Sequence, residues 1–156
     1  MMKGNDQVIE RLIARLSEEL AAVNQYMVHA EMCENWGYGE LHEADQKRAI
    51  DEMKHAEKLI ARILFLEGRP IVSNLAAIHI GADVEAQHKN DLASELGALA
   101  AYNADIRFVA EAGDNGTREL LKSILLEEED HIDWLEAQLD QINQVGIQNY
   151  LVQQLG

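Results

Sequence analysis

The placement of helix breakers constrains this chain more than any other feature. Glycine and proline fall mainly in four places: Gly37 and Gly39, Gly68 to Gly81 with Pro70 inside, Gly113 to Gly116, and Gly146. Four long segments remain between them, read as helices over about Asp6 to Trp36, Gly39 to Glu67, Asp83 to Ala112 and Gly116 to Val145, with a short fifth helix from Ile147. Each of the four can run ~40 Å. Composition agrees, because 47% apolar residues with only 5% aromatics and one proline suit Ala/Leu/Ile-packed helices better than a sandwich or barrel. Two links are tight. The third, Gly68 to Ala82, lacks helical periodicity and could reach ~50 Å when extended, enough to travel the length of a helix. The parts predict one all-α domain over residues 1–156, a four-helix bundle with a long crossover between helices two and three.

Charge narrows the function. The chain carries 28 Asp and Glu against 13 Lys and Arg, a formal charge of −15, the wrong sign for a partner that is nucleic acid or anionic membrane. No apolar run approaches the ~18 residues of a membrane span. The opening Met1-Met2-Lys3-Gly4 lacks the apolar core of a secretory signal, so a cytoplasmic location is expected. A lone Cys33 excludes an intrachain disulfide and any Cys-x-x-Cys site, and reads as a small buried thiol.

The apolar stripes carry an anomaly. Steps of three and four along the first helix give Ile9, Leu12, Leu16, Glu19, Val23, Tyr26 and Ala30, with Glu19 where a leucine belongs. The third helix repeats this with Leu92, Glu95, Leu99, Tyr102, Ile106 and Val109. In the second helix Ala49, Glu52, His55, Leu59, Ile63 and Leu66 share a face, and in the fourth Leu121, Ile124, Glu128, His131 and Leu135 do. Glutamate is almost never buried without compensation. One such interruption is easily a rim acid misplaced by one position; four at once are not.

Spacing sharpens the point. Glu19 and Glu95, Glu52 and Glu128, His55 and His131, Tyr26 and Tyr102, and Leu59 and Leu135 are all 76 residues apart, as though one helical hairpin had been written twice. Two hairpins related by a pseudo-twofold would bring both halves of the constellation to one centre. A third Glu-x-x-His, Glu85 to His88, has Ile9 and Leu12 as its counterparts and is expected at the surface, as are His29, His42 and His79.

Four facing glutamates in a low-dielectric core repel one another, and two divalent cations would neutralise them. Oxygen ligands with one imidazole per metal suit iron or manganese, whereas structural zinc favours Cys and a closed tetrahedron. Two lone glutamates with two Glu-x-x-His motifs are the ligand set of ferritin-like di-iron and di-manganese carboxylate proteins. On that pattern Glu19 with His55, and Glu95 with His131, are the terminal ligands, and Glu52 and Glu128 the bridges. The chemistry expected is oxidation by O2 or peroxide.

These residues resemble the bacterioferritin family along almost the whole chain. The resemblance is carried by Glu19-Leu20-Ala21-Ala22-Val23-Asn24-Gln25-Tyr26, by Asp51-Glu52-Met53-Lys54-His55-Ala56, by Arg62 to Gly68, by Glu127 to Glu136 and by Gly146 to Leu151. It implies a 24-subunit shell built from twofold dimers, of one subunit type or mixed with a second ferritin subunit. Such a shell oxidises Fe(II) with O2 or H2O2 at an intrasubunit di-iron ferroxidase centre, stores ferric mineral, and is served by a ferredoxin or reductase for release. By motif position the centre is Glu19, Glu52, His55, Glu95, Glu128 and His131, with Tyr26 close by. Met53, one residue and about 100° from Glu52, should face outward, and the resemblance makes it the axial ligand of a b-type haem shared across the dimer interface. Two positions depart from the family pattern. Lys47 stands where many relatives have a histidine of an inner-surface iron site, though Asp51 is kept. Tyr102 replaces an aliphatic residue, either as a second redox-active phenol or as simple packing. The rival readings are a manganese catalase, a rubrerythrin-like peroxidase, against which the single Cys33 speaks, and a non-enzymatic haem-binding bundle.

Overall fold

A computed structural model describes residues 3–156; Met1 and Met2, part of the opening read for a secretory signal, lie outside the described residues. The described chain forms α1 (Asp6–Trp36), α2 (Gly39–Phe65), α3 (Val84–Glu111), α4 (Asn115–Val145) and α5 (Ile147–Val152). The ends differ from the sequence reading by a residue or two: Asp83, counted into the third helix, is its cap, and the fourth helix starts one residue earlier, at Asn115. Asp83 caps α3 by accepting from the Ala86 amide, and Asp114 caps α4 by accepting from the Thr117 amide. Leu66 and Glu67 leave α2, Glu67 turns left-handed, and the Gly68 amide returns to the Ile63 carbonyl at 2.8 Å. At the end of α1, Gly37 takes φ 86°, a left-handed turn open to glycine without cost, and its two-residue link forces α2 back along α1.

Helices α1 and α2 form one hairpin, α3 and α4 the other, and the two meet through α1 with α3 and α2 with α4. The crossover follows α1. The Ala76 amide bonds the Ser17 carbonyl, the His79 amide bonds Gln25 Oε1, and the Gly81 amide bonds His29 Nε2. The crossover thus runs along α1 toward its C-terminal end and delivers α3 there, antiparallel to α1.

The core is divided. Leu12, Leu16, Leu59, Ile63, Leu121, Ile124 and Val109 pack at one end, and Cys33, Leu41, Val84, Ile142 and Tyr150 at the other. Each buried aliphatic contributes ~1.5–3 kcal/mol, and the two clusters flank a polar middle. Cys33 is buried as expected, its thiol near Asp45 and Gln87 and its pKa pushed up to about 12 by burial. No helix among the described residues is long and apolar enough to cross a membrane.

Two histidines expected at the surface are in the core. His29 is fully buried, with Nδ1 2.9 Å from Asp91 Oδ1, and His88 is buried with Nε2 3.0 Å from the Tyr150 hydroxyl. Their partners come from α3 and α5, so neighbours along their own helices could not announce them. His79 is exposed as expected, and His42 is half-buried against the Ala30 carbonyl. The inward line of α3 is also more polar than its apolar stripe suggests. Gln87, His88, Asp91 and Asp105 are buried, while Leu92, Leu99 and Ile106 are only half-buried.

Candidate metal centre

The six residues chosen from the stripes meet between the two apolar clusters, and all are buried. Glu19 comes from α1, Glu52 and His55 from successive turns of α2, Glu95 from α3, and Glu128 and His131 from successive turns of α4. They form two overlapping groups. One ligand atom each from Glu19, Glu52, His55 and Glu128 lie within 4.8 Å of one another, and the same holds for Glu52, Glu95, Glu128 and His131. Glu52 and Glu128 belong to both groups, which is the geometry of bridging carboxylates.

The atoms aimed at the middle are unsatisfied. Glu19 Oε2, Glu52 Oε1, His55 Nδ1, Glu95 Oε2 and Glu128 Oε1 are buried and make no well-aligned hydrogen bond among the described residues. His55 Nδ1 lies 2.8 Å from Glu128 Oε1 and His131 Nδ1 2.9 Å from Glu52 Oε1, close approaches of nitrogen to carboxylate. A buried orphan of this kind costs ~1–3 kcal/mol, more for a charged group. Five in one place fit a site built for cations, and a four-carboxylate, two-imidazole donor set suits two divalent ions of iron or manganese type.

Burial and the surrounding acids hold Glu52 and Glu128 well above the usual carboxylate range, so without cations they retain protons. Burial pushes Glu95 upward too, but its hydrogen-bond partners Glu128, His131 and Tyr26 bring it below its ordinary value. Burial alone would lower both histidines. The facing carboxylates of Glu128, Glu19 and Glu52 outweigh it at His55, and those of Glu95 and Asp51 at His131, raising both imidazoles.

Around this shell lie groups the sequence reading did not select. The outer nitrogen of His55 meets Glu127, and the outer nitrogen of His131 lies 3.0 Å from Asp51 Oδ2. Each acid immediately precedes an acid shared by the two groups and reaches across to the histidine of the facing helix. A carboxylate on the outer nitrogen fixes the imidazole tautomer and leaves Nδ1 for a metal. The doublets Asp51-Glu52 and Glu127-Glu128, again 76 apart, were the available signal. Lys47 Nζ lies 3.0 Å from Asp51 Oδ2, so its charge is engaged by that acid.

Both tyrosines are fully buried and donate to terminal acids, Tyr26 to Glu95 and Tyr102 to Glu19 at 2.5 Å. Burial, together with the nearby carboxylates, keeps both phenols protonated, well above their ordinary pKa. The Arg48 guanidinium stacks 4.4 Å from the Tyr26 ring and 5.2 Å from the Trp134 ring. It is held by Asp45 and Asp91, each at 2.8 Å.

A cavity of about 340 Å³ is lined by the small residues Ala22, Ala93, Gly97 and Ala98, by Ala76 and Ala77 of the crossover, and by the four central glutamates. Met53 points the other way. It is 45% exposed, near the similarly exposed Ile50, on the outer face of α2.

Comparison with known proteins agrees with this geometry. Residues 9–145 match the ferritin-like domain. The chain is 40% identical over 149 residues to a bacterioferritin of Brucella melitensis, covering 96% of this chain and 92% of that protein. A bacterioferritin of Rhodobacter capsulatus gives the same identity and coverage. One from Mycolicibacterium paratuberculosis is 38% identical over 152 residues, covering 97% and 96% of the two chains. With a ferritin-like fold over most of its length and such similarity end to end, this chain belongs to the bacterioferritin family.

Proposed function

We propose that the protein is an iron-storage ferroxidase that oxidises Fe(II) to Fe(III) with O2 or H2O2 within each subunit and stores ferric mineral inside a 24-subunit shell. The observation that carries this reading is the pair of overlapping four-residue groups sharing Glu52 and Glu128. Two ferrous substrate ions held side by side can each give one electron to a shared oxidant. The chain's part is to position them. Glu19 with His55, and Glu95 with His131, are the terminal ligands in this reading. Asp51 and Glu127 hold the imidazoles so that Nδ1 faces inward, and Tyr26 orients Glu95. The small-residue cavity supports access to the acids for ions and oxidant of modest size.

Family membership further supports a haem b at a twofold dimer interface, with Met53 as axial ligand and a ferredoxin or reductase driving release. Met53 fits that role: its thioether is outward, exposed and beside an apolar residue, where a second copy of the chain could approach. When bound, such a haem would supply an electron-transfer group at the surface of the subunit.

The test is addition of Fe(II) and O2 to purified protein. The reading expects ferric absorbance to grow faster than with a Glu52→Ala, Glu128→Ala double variant, and the protein to elute as a very large shell. Equal rates, or two manganese ions per chain with catalase activity, would replace it.

A further inference from the structure

Each terminal glutamate is gripped by one phenol, and the two grips stand at equivalent positions in the sequence. Tyr102 on α3 donates to Oε1 of Glu19 on α1 at 2.5 Å, and Tyr26 on α1 donates to Oε1 of Glu95 on α3. The sequence interval of 76 relates both the donors and the acceptors. In both acids Oε2 is buried without a hydrogen bond among the described residues; Glu19 Oε2 lies 3.5 Å from His55 Nδ1, whereas at Glu95 it is the phenol-bound Oε1 that lies 3.4 Å from His131 Nδ1. A carboxylate can serve a cation with one oxygen or with both. At Glu19 the phenol bears on that choice, because it occupies Oε1 while Oε2 is the oxygen that faces His55 Nδ1.

We propose that Tyr102 is a positioning residue which, by holding Oε1 of Glu19, presents Oε2 alone to the metal of the Glu19–His55 half. The proposal rests on the two-metal reading above. Packing alone is a weaker account. Tyr102 does sit against the apolar cluster at its end of the bundle, yet an apolar side chain there would leave Glu19 Oε1 buried without its donor. Outer-shell partners of this kind typically change metal affinity by ~10–100-fold.

Tyr102→Phe removes the hydroxyl and keeps the ring. Co(II) titrated into the metal-free shell, followed by calorimetry and visible absorption, reads both halves without iron oxidation. Fewer than two Co(II) per chain in the unsubstituted protein removes the two-metal reading, and this proposal with it. With two bound, Tyr102→Phe is expected to weaken one of them by about tenfold or more and to alter its visible bands as Glu19 changes from one donor oxygen to two. In a Glu95→Ala background, which disables the opposite half, the loss persists. In a Glu19→Ala background it disappears. Tyr102→Leu, which packs differently but also lacks the hydroxyl, reproduces the selective loss. Unchanged affinity and spectra in Tyr102→Phe, or an equal loss with Glu19 already removed, overturns the proposal even where the two-metal reading stands.

Discussion

Asp51 and His131 sit on facing helices, and the carboxylate of one lies 3.0 Å from the outer ring nitrogen of the other. Asp51→Ala is expected to lower metal affinity in the Glu95–His131 half by ~10–100-fold. Glu127→Ala should act on the His55 half with a smaller effect, because the Glu127 side chain is 52% exposed against 25% for Asp51. Zn(II) titrations of the two variants, neither of which alters a proposed ligand, give the comparison.

Four buried glutamates make the metal-free protein pay for its site. Glu52→Gln is expected to stabilise the metal-free fold by roughly 1–4 kcal/mol while impairing metal binding. The pH dependence has a definite sign. The folded pKa of Glu52 is raised, so the folded state holds a proton that the unfolded chain has released, and the penalty is relieved as pH falls toward the ordinary value of 4.5. The advantage of Gln should therefore be larger at pH 8 than at pH 5. Denaturant midpoints of both proteins after chelation measure it, and metal loading should reverse the order.

His88 works in the opposite direction. The Tyr150 hydroxyl donates to Gln138 Oε1 at 2.5 Å, so it must accept from His88, which leaves Nδ1 buried and unpaired. Burial, with the Arg48 charge behind it, lowers this imidazole from 6.5 to about 4. The unfolded chain then takes up a proton near pH 6.5 that the folded chain refuses. Stability is complete above that pH and declines toward pH 4, by at most about 3 kcal/mol. His88→Gln, which can still donate to Tyr150, should lose less stability than the parent between pH 7 and pH 5 in equilibrium unfolding.

Asp114 joins the two hairpins. It caps α4 through the Thr117 amide and receives Arg62 of α2 at 3.0 Å. Asp114→Ala should cost about 1–2 kcal/mol, and Asp114→Asn, which still caps, considerably less. Although partial burial raises its pKa, hydrogen bonds from Thr117 and the Arg62 charge hold it below 3.8. Its contribution is therefore intact above that value and lost only as pH falls through the lower folded pKa. Thermal melts at pH 7 and pH 3 test both statements.

Much of this was legible in sequence, for specific reasons. The six central residues showed themselves because each interrupts an apolar stripe, and the interval of 76 removed the ambiguity of any single interruption. The surrounding polar shell was not legible by that route. Arg15 lies 3.0 Å from Asp105, and His29 lies 2.9 Å from Asp91. These pairs are also equivalents under the same interval, Arg15 with Asp91 and His29 with Asp105. An identity-based search for repeats misses them, because the repeat keeps the contact while placing an acid where the equivalent position has a base; α1 supplies the base in both pairs. Burial of His29 and His88 was hidden for a related reason: a polar side chain enters a core when a distant partner satisfies it, and nothing within one turn of its own helix records that partner.

The crossover has a further consequence. Between Ala76 and Gly81 it is pinned to α1 at three places, Ser17, Gln25 and His29. It therefore acts as a measuring tape laid along the first hairpin, setting where along α1 the second hairpin begins. Shortening it by one residue would drag α3 past α1 by about 3 Å, roughly half a helical turn, the matched contacts between the two helices would slip out of step, and each tyrosine would lose the glutamate it now meets.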